Sequence, residues 1–335
     1  MARGVQSGIP VTVDNGGVGS TGVAATYALL VLVTVVWGAT VPVLSRINTL
    51  RAGTPLVAWD IVWLRLVPAT LLFAPLLLAR RRALRDELRG RWTALFAVGL
   101  LTTTAYNFFL IAGEERVPPS VASLMIGLNP TATLLLSAWL LGDRVGWRGA
   151  AGLFISLAGL AWVTGAGGGG GAVVHGSAHE TAGATGYGWT HLALTAGAPL
   201  AFSVGSVITK RTLGHLPAAT VTGATVAAGS FPLWAWPWMG MGSGLFTAAP
   251  GLPAEFWLWI AFLVLGPLMF GYYVWYVAIE RLDAGRVSSF IFLVPIFGVL
   301  LSWAGGEPAR LSTALGGLAV MAGVVVTNWK VAPRR

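Results

Sequence analysis

Apolar residues run through this chain in long blocks separated by short polar stretches. A helix crossing about 30 Å of hydrocarbon needs about 20 mostly apolar residues. Ten blocks meet or approach that length: 25–45, 56–79, 92–113, 119–141, 149–166, 189–209, 217–238, 255–279, 286–304 and 311–329. The pattern predicts an all-α integral membrane fold of ten transmembrane helices. Residues 1–24 are polar and glycine-rich and are expected to form a flexible cytoplasmic tail. Residues 167–188 form a Gly-rich linker, and 330–335 a basic tail.

The blocks are written twice. A shift of 165 positions lays Glu115-Arg116 on Glu280-Arg281, Ser123 on Ser288, Leu128 on Leu293 and Pro130 on Pro295. The same shift carries Arg46 to Arg211 and Leu135-Leu136-Ser137 to Leu300-Leu301-Ser302. After one deleted residue, Gly152 and Gly159 meet Gly316 and Gly323. One register holding from Arg46 to Ser137 predicts two copies of one unit, 25–166 and 189–329. Each copy has five helices, an odd number, so the second enters the membrane from the opposite face. Inverted repeats of this kind recur in secondary transporters, with sites near the midplane and interrupted helices at matching positions in the two halves. Pro130 and Pro295 are the expected interruptions; a plain packing bend is the competing reading.

Composition agrees with the pattern. The 335 residues are 56% hydrophobic and 10% charged, against roughly 25% charged in soluble domains. The net charge of +9 does not indicate a nucleic-acid partner, because it is sorted by side. With the N-terminus inside, the loop Arg80, Arg81, Arg82, Arg85, Arg89 and Arg91 and most other basic residues are cytoplasmic. Only Arg46, Arg51, Arg116 and Arg310 face out, and Arg65 lies within a helix. That asymmetry predicts both termini in the cytoplasm. The linker has no Lys or Arg and is expected outside. No cysteine is present, which excludes disulfides and thiolate metal sites. The histidines offer no ligand set, so neither metal nor other cofactor is expected. Gly17-Val18-Gly19-Ser20-Thr21-Gly22 fits G-x-G-x-x-G, but it lacks the strand and helix that give that pattern meaning. No P-loop occurs, which disfavours ATP-driven pumping.

Few residues inside the blocks carry chemistry. Arg65 is a charge at depth, costing roughly 2.5–3.5 kcal/mol on insertion scales. It is read either as a clamp for a carboxylate or other anionic group, or as a structural tie to backbone carbonyls. Asp60, five residues earlier, is a protonation candidate; a solvated helix entrance is the competing reading. The third block holds Thr102-Thr103-Thr104, Tyr106 and Asn107, with Thr103 and Asn107 on one face. Asn129 precedes Pro130. In the second copy, Tyr272, Tyr273, Trp275 and Tyr276 lie deep, whereas Trp234, Trp236 and Trp238 are expected in the interfacial belt. Glu115 and Glu280 are expected at membrane edges.

With Trp37-Gly38 in the first block, Arg65 in the second, Leu128-Asn129-Pro130 through Leu141-Gly142-Asp143-Arg144, and then Leu293-Val294-Pro295 and Gly306-Glu307, the chain resembles the drug/metabolite transporter superfamily, specifically its EamA-type ten-helix members. The likeness covers about residues 25–329. Family members carry Leu-Gly-Glu after the fourth and ninth helices, where this chain has Asp143 and a shorter Gly306-Glu307. The resemblance implies two inverted repeats, a central cavity and export of small metabolites, often coupled to protons. The expected function is a secondary transporter of the cytoplasmic membrane, exporting a small organic solute by alternating access. Its expected partners are that solute, protons and the bilayer, with a homodimer left open. Trp37, Arg65, Tyr106, Asn107, Asn129, Tyr272 and Tyr276 are the cavity candidates. An intramembrane enzyme would need a denser acid/base inventory, and a non-transporting scaffold or sensor would leave the buried polar groups without a purpose.

Overall fold

The computed structural model of the protein describes residues 20–141, 147–166, 189–213, 218–239, 244–282, 287 and 290–328, and these contain helices and no strand. Six helices are long and apolar enough to cross a membrane: Val23–Leu50, Ala58–Ala79, Trp92–Gly113, Pro119–Leu140, Trp189–Thr209 and Ala254–Trp275. Phe290–Ala304 and Leu311–Thr327 are shorter apolar helices; Trp147–Ala161 and Ala218–Ser230 are also helical. The protein is a multi-pass, all-α membrane protein. Its large apolar side chains lie outside as well as in: Leu71, Leu78, Phe154, Leu258 and Leu318 are all exposed, as expected where lipid is the solvent.

Helix boundaries depart from the apolar blocks in ways the chemistry explains. The first helix begins at Ser20, inside the stretch expected to be tail. The seventh block ends its α-helix at Ser230 and continues as a 3₁₀ helix, Phe231–Met239. Pro232 and Pro237 supply no amide hydrogen there. The ninth block opens with a 3₁₀ turn, Phe290–Phe292, before the α-helix Leu293–Ala304.

Small residues set the closest helix contacts. Trp147–Ala161 lies along Leu311–Asn328 through paired glycines. A β-carbon on Gly159 would sit 2.7 Å from Gly316 O, and one on Gly316 would sit 2.8 Å from Gly159 O. Gly152 and Gly323 meet in the same way, each backed by the other's carbonyl. Gly99 lies against Gly229, where a β-carbon would fall 2.6 Å from Gly229 N. Several hydroxyls in the apolar helices are satisfied by carbonyls one turn back, which suits a lipid environment. Thr70 donates to Leu66 O at 2.9 Å, Thr102 to Val98 O at 2.8 Å and Ser302 to Gly298 O at 2.7 Å.

Candidate substrate site

Arg65 enters the interior about two turns into the Ala58–Ala79 helix and is 4% exposed. Its Nη1 donates to Asn107 Oδ1 at 2.7 Å. Asn107, equally buried, donates through Nδ2 to Thr103 O at 2.6 Å. The backbone explains that second bond. Residues Leu100–Ala105 form a π-helical stretch in which the Tyr106 amide reaches back to Leu101 O. Widening the turn displaces carbonyls from their regular α-helical donors, and the Asn107 side chain takes one of them. The amide therefore fixes the guanidinium from one side. Arg65 Nε is buried with no partner.

A second π-helical stretch, Val264–Gly271, lies in the helix that carries Tyr272. The shift of 165 that relates the two halves lays residues 100–105 on 265–270, inside it. Here Pro267 occupies the helix interior, and its carbonyl accepts Trp37 Nε1 at 2.9 Å. The Trp37 ring tilts against Trp275, with centroids 5.1 Å apart, and meets Tyr272 edge-on at 5.9 Å. Tyr106 tilts against Phe202 at 5.7 Å. Arg65 and Tyr106 each lie within electrostatic reach of the other and of Tyr272 and Glu114. The fold thus gathers Arg65, Asn107, Tyr106 and Tyr272, with Trp37 adjoining through Tyr272.

Other candidates lie elsewhere. The fourth block breaks between Pro119–Ile126 and Asn129–Leu141, just ahead of Pro130. The Asn129 carbonyl accepts Thr133 Oγ1 at 2.8 Å and Ser203 Oγ at 3.2 Å, while its Oδ1 is buried without a partner. Pro295 is buried near the start of its α-helix and rests on Gly127, where a β-carbon would lie 3.0 Å from the proline ring. Tyr273 is 70% exposed and faces away from the interior. The Tyr276 side chain lies outside the described residues, as do Ser288, Gly142-Asp143-Arg144 and the linker histidines.

Asp60 is not a solvated entrance. It is fully buried; Oδ2 accepts the Val57 amide at 2.8 Å and Oδ1 accepts Trp236 Nε1 at 2.8 Å. Its carboxylate is occupied in starting its own helix and holding another segment. Trp236 is correspondingly drawn inward from the expected belt, whereas its neighbour Trp238 is 82% exposed. Glu115, read as an edge marker, accepts Arg51 Nη2 at 2.5 Å.

Sequence reasoning passed over Glu114. It is 2% exposed, and neither carboxylate oxygen has a hydrogen-bond partner. It follows Asn107 by seven residues, two helical turns on the same stripe. That spacing was the available signal. The neighbouring Glu115-Arg116 pair masked it.

A bundle of apolar helices around a buried, partly unpartnered arginine defines a multi-pass membrane protein with a polar interior. Comparison with known proteins gives the particular kind. The chain belongs to the EamA-like transporter family, within the drug/metabolite transporter superfamily; the family matches residues 24–165 and 189–329. It is a transporter, not an enzyme. A probable terminal-alkyne amino-acid exporter of Streptantibioticus cattleyicolor is 30% identical over 240 residues, 71% of this chain and 73% of that protein. The aromatic amino acid exporter YddG of Ancylobacter novellus is 27% identical over 245 residues, covering 73% and 77%. An uncharacterized transporter of Archaeoglobus fulgidus is 27% identical over 267 residues, covering 78% and 86%. A chain of known crystal structure superposes with a TM-score of 0.53 at 20% identity, covering 91% of this chain and 96% of the other. That likeness shows the fold.

Proposed function

We propose that the protein is a secondary transporter that exports a small, carboxylate-bearing organic metabolite across the cytoplasmic membrane by proton-coupled alternating access. The observation that carries this reading is Arg65, buried beside Asn107 with its Nε unpartnered. A guanidinium with a free donor edge in a low-dielectric interior suits a planar anionic group. Two relatives named as amino-acid exporters favour the same class of solute.

In this reading ten helices form two inverted five-helix repeats, with both termini cytoplasmic. Reciprocal glycine packing supports it. Gly152 corresponds to Gly316 and Gly159 to Gly323, yet Gly152 packs on Gly323 and Gly159 on Gly316. Crossed pairing of equivalent residues is what a two-fold relation between copies produces. The π-helical stretches at matching positions, and the interruptions near Pro130 and Pro295, supply adaptable backbone in each copy. Trp37, Tyr106, Asn129, Tyr272 and Tyr276 complete the proposed cavity lining.

Flux of radiolabelled amino acids from proteoliposomes, with and without a pH gradient, tests the function. Gradient-dependent flux that Arg65→Ala abolishes in stably inserted protein is the expected result. Flux unaffected by Arg65→Ala overturns the clamp, and the absence of flux across the proteinogenic amino acids and a panel of other small carboxylates overturns the proposed solute class.

A further inference from the structure

Glu114 ends the stripe that begins at Asn107. The two residues lie about 10 Å apart along the helix axis, and helical side chains lean toward the N-terminus, which directs Glu114 back toward the Arg65–Asn107 pair. The residue is 2% exposed, and both carboxylate oxygens are buried without partners. A buried carboxyl left unbonded is costly in either protonation state. The chain does not lack cations nearby: Arg51 is buried and pairs with Glu115, the adjacent residue. Glu114 is passed over.

Arg65 presents the complementary case, a buried cation with an unpartnered Nε. The two groups feel each other's charge, yet they form no ion pair. Other arginines do pair with carboxylates, Arg46 with Glu255 and Arg51 with Glu115. Opposite charges held apart, each with unused hydrogen-bonding capacity, match a ligand that carries both charges itself. Tyr106 lies in the electrostatic neighbourhood of both groups and Tyr272 in that of Arg65, so aromatic side chains accompany the pair.

We infer that Arg65 and Glu114 form a dipolar clamp for a zwitterionic α-amino acid, Arg65 taking the carboxylate and Glu114 the ammonium group. The inference rests on the transporter reading above and adds the second charge to it. A ligand with one charge satisfies one end and leaves the other buried and unpaired, so both charges contribute to selection.

The test compares L-phenylalanine with two analogues that each lack one charge, phenethylamine and hydrocinnamate. Binding is read as thermal stabilisation of the purified full-length protein in detergent, first across the proteinogenic amino acids. The wild type is expected to bind the amino acid at least about tenfold more tightly than either analogue, the size of one charge-assisted hydrogen bond. Glu114→Gln is expected to weaken L-phenylalanine by a similar factor while leaving hydrocinnamate unchanged. Arg65→Gln should do the mirror image with phenethylamine. The wild-type series needs no variant to fold. Stabilisation by no amino acid, equal binding of all three probes, or an equal loss for amino acid and hydrocinnamate in Glu114→Gln overturns the clamp. Discriminating binding without flux in proteoliposomes overturns the transport reading alone, whereas flux without discrimination overturns the clamp alone.

Discussion

Asp60 and Arg65 sit five residues apart on one helix, and their surroundings separate them by role. Both Asp60 oxygens are occupied, by the Val57 amide and the Trp236 indole. Asp60→Asn turns one of these acceptors into a donor facing a donor. Unfolding free energy should fall by about 1–3 kcal/mol, the cost of one unsatisfied buried group, while flux per folded molecule is kept. Thermal unfolding beside proteoliposome flux checks this; lost flux at unchanged stability would restore Asp60 as a proton carrier. Arg65 was legible in the sequence because a lone charge inside an apolar run must find a partner, and Asn107 because amides are sparse at such depth. Glu114 was not, since an acidic residue at the end of a run next to Glu115-Arg116 ordinarily marks the lipid–water boundary. Only its spacing from Asn107 hinted otherwise, and that spacing acquires meaning once Arg65 is known to bond Asn107.

At the level of elements, the loop after Leu293–Ala304 is tied to the start of another helix. Glu307 accepts the Ser120 amide at 2.9 Å and also the Ser120 hydroxyl, at the N-terminus of Pro119–Ile126. Burial raises the Glu307 carboxyl above its ordinary range, with the Ser120 bonds and Arg310 opposing. A folded-state value above the unfolded one makes a stabilising contribution that is full below the unfolded value, about 4.3. It is lost as pH rises through the raised value. Melting temperature should therefore decline across that interval in the wild type and much less in Glu307→Gln. Identical pH profiles for the two proteins would refute the assignment. The sequence singled out Gly306-Glu307 only through the family resemblance, and the tie to Ser120 gives the glutamate a structural task. The 3₁₀ ending at Phe231–Met239 was less legible, because Phe-Pro-Leu-Trp-Ala-Trp-Pro-Trp-Met is as apolar as a membrane helix and hydropathy does not register missing amide donors.

For the whole molecule, the multi-pass, all-α membrane class was readable because lipid imposes length and polarity on every crossing segment. The same constraint underlies the topology prediction. A reporter active only outside the cytoplasm should work when fused after Gly171 and fail after Arg335, and activity after Arg335 would overturn the ten-helix arrangement. The π-helical stretches were not readable. Leu-Leu-Thr-Thr-Thr-Ala and Val-Leu-Gly-Pro-Leu-Met-Phe-Gly have only leucine in common; the two become equivalent through position. Their geometry has a further implication for how this chain tolerates length changes. A wide turn holds one residue more than an α-helix needs, so deleting Leu101 should restore regular pitch and leave the flanking faces in register. A deletion at Phe73, in an α-helical stretch without a wide turn, would rotate everything beyond it by about 100°. The Leu101 deletion should thus insert and fold where the Phe73 deletion does not, as judged by monodispersity after purification. It should nevertheless bind solute poorly, since regular pairing reclaims Thr103 O from Asn107 and loosens its hold on Arg65. The surplus residue is dispensable for building the helix and needed for holding the arginine.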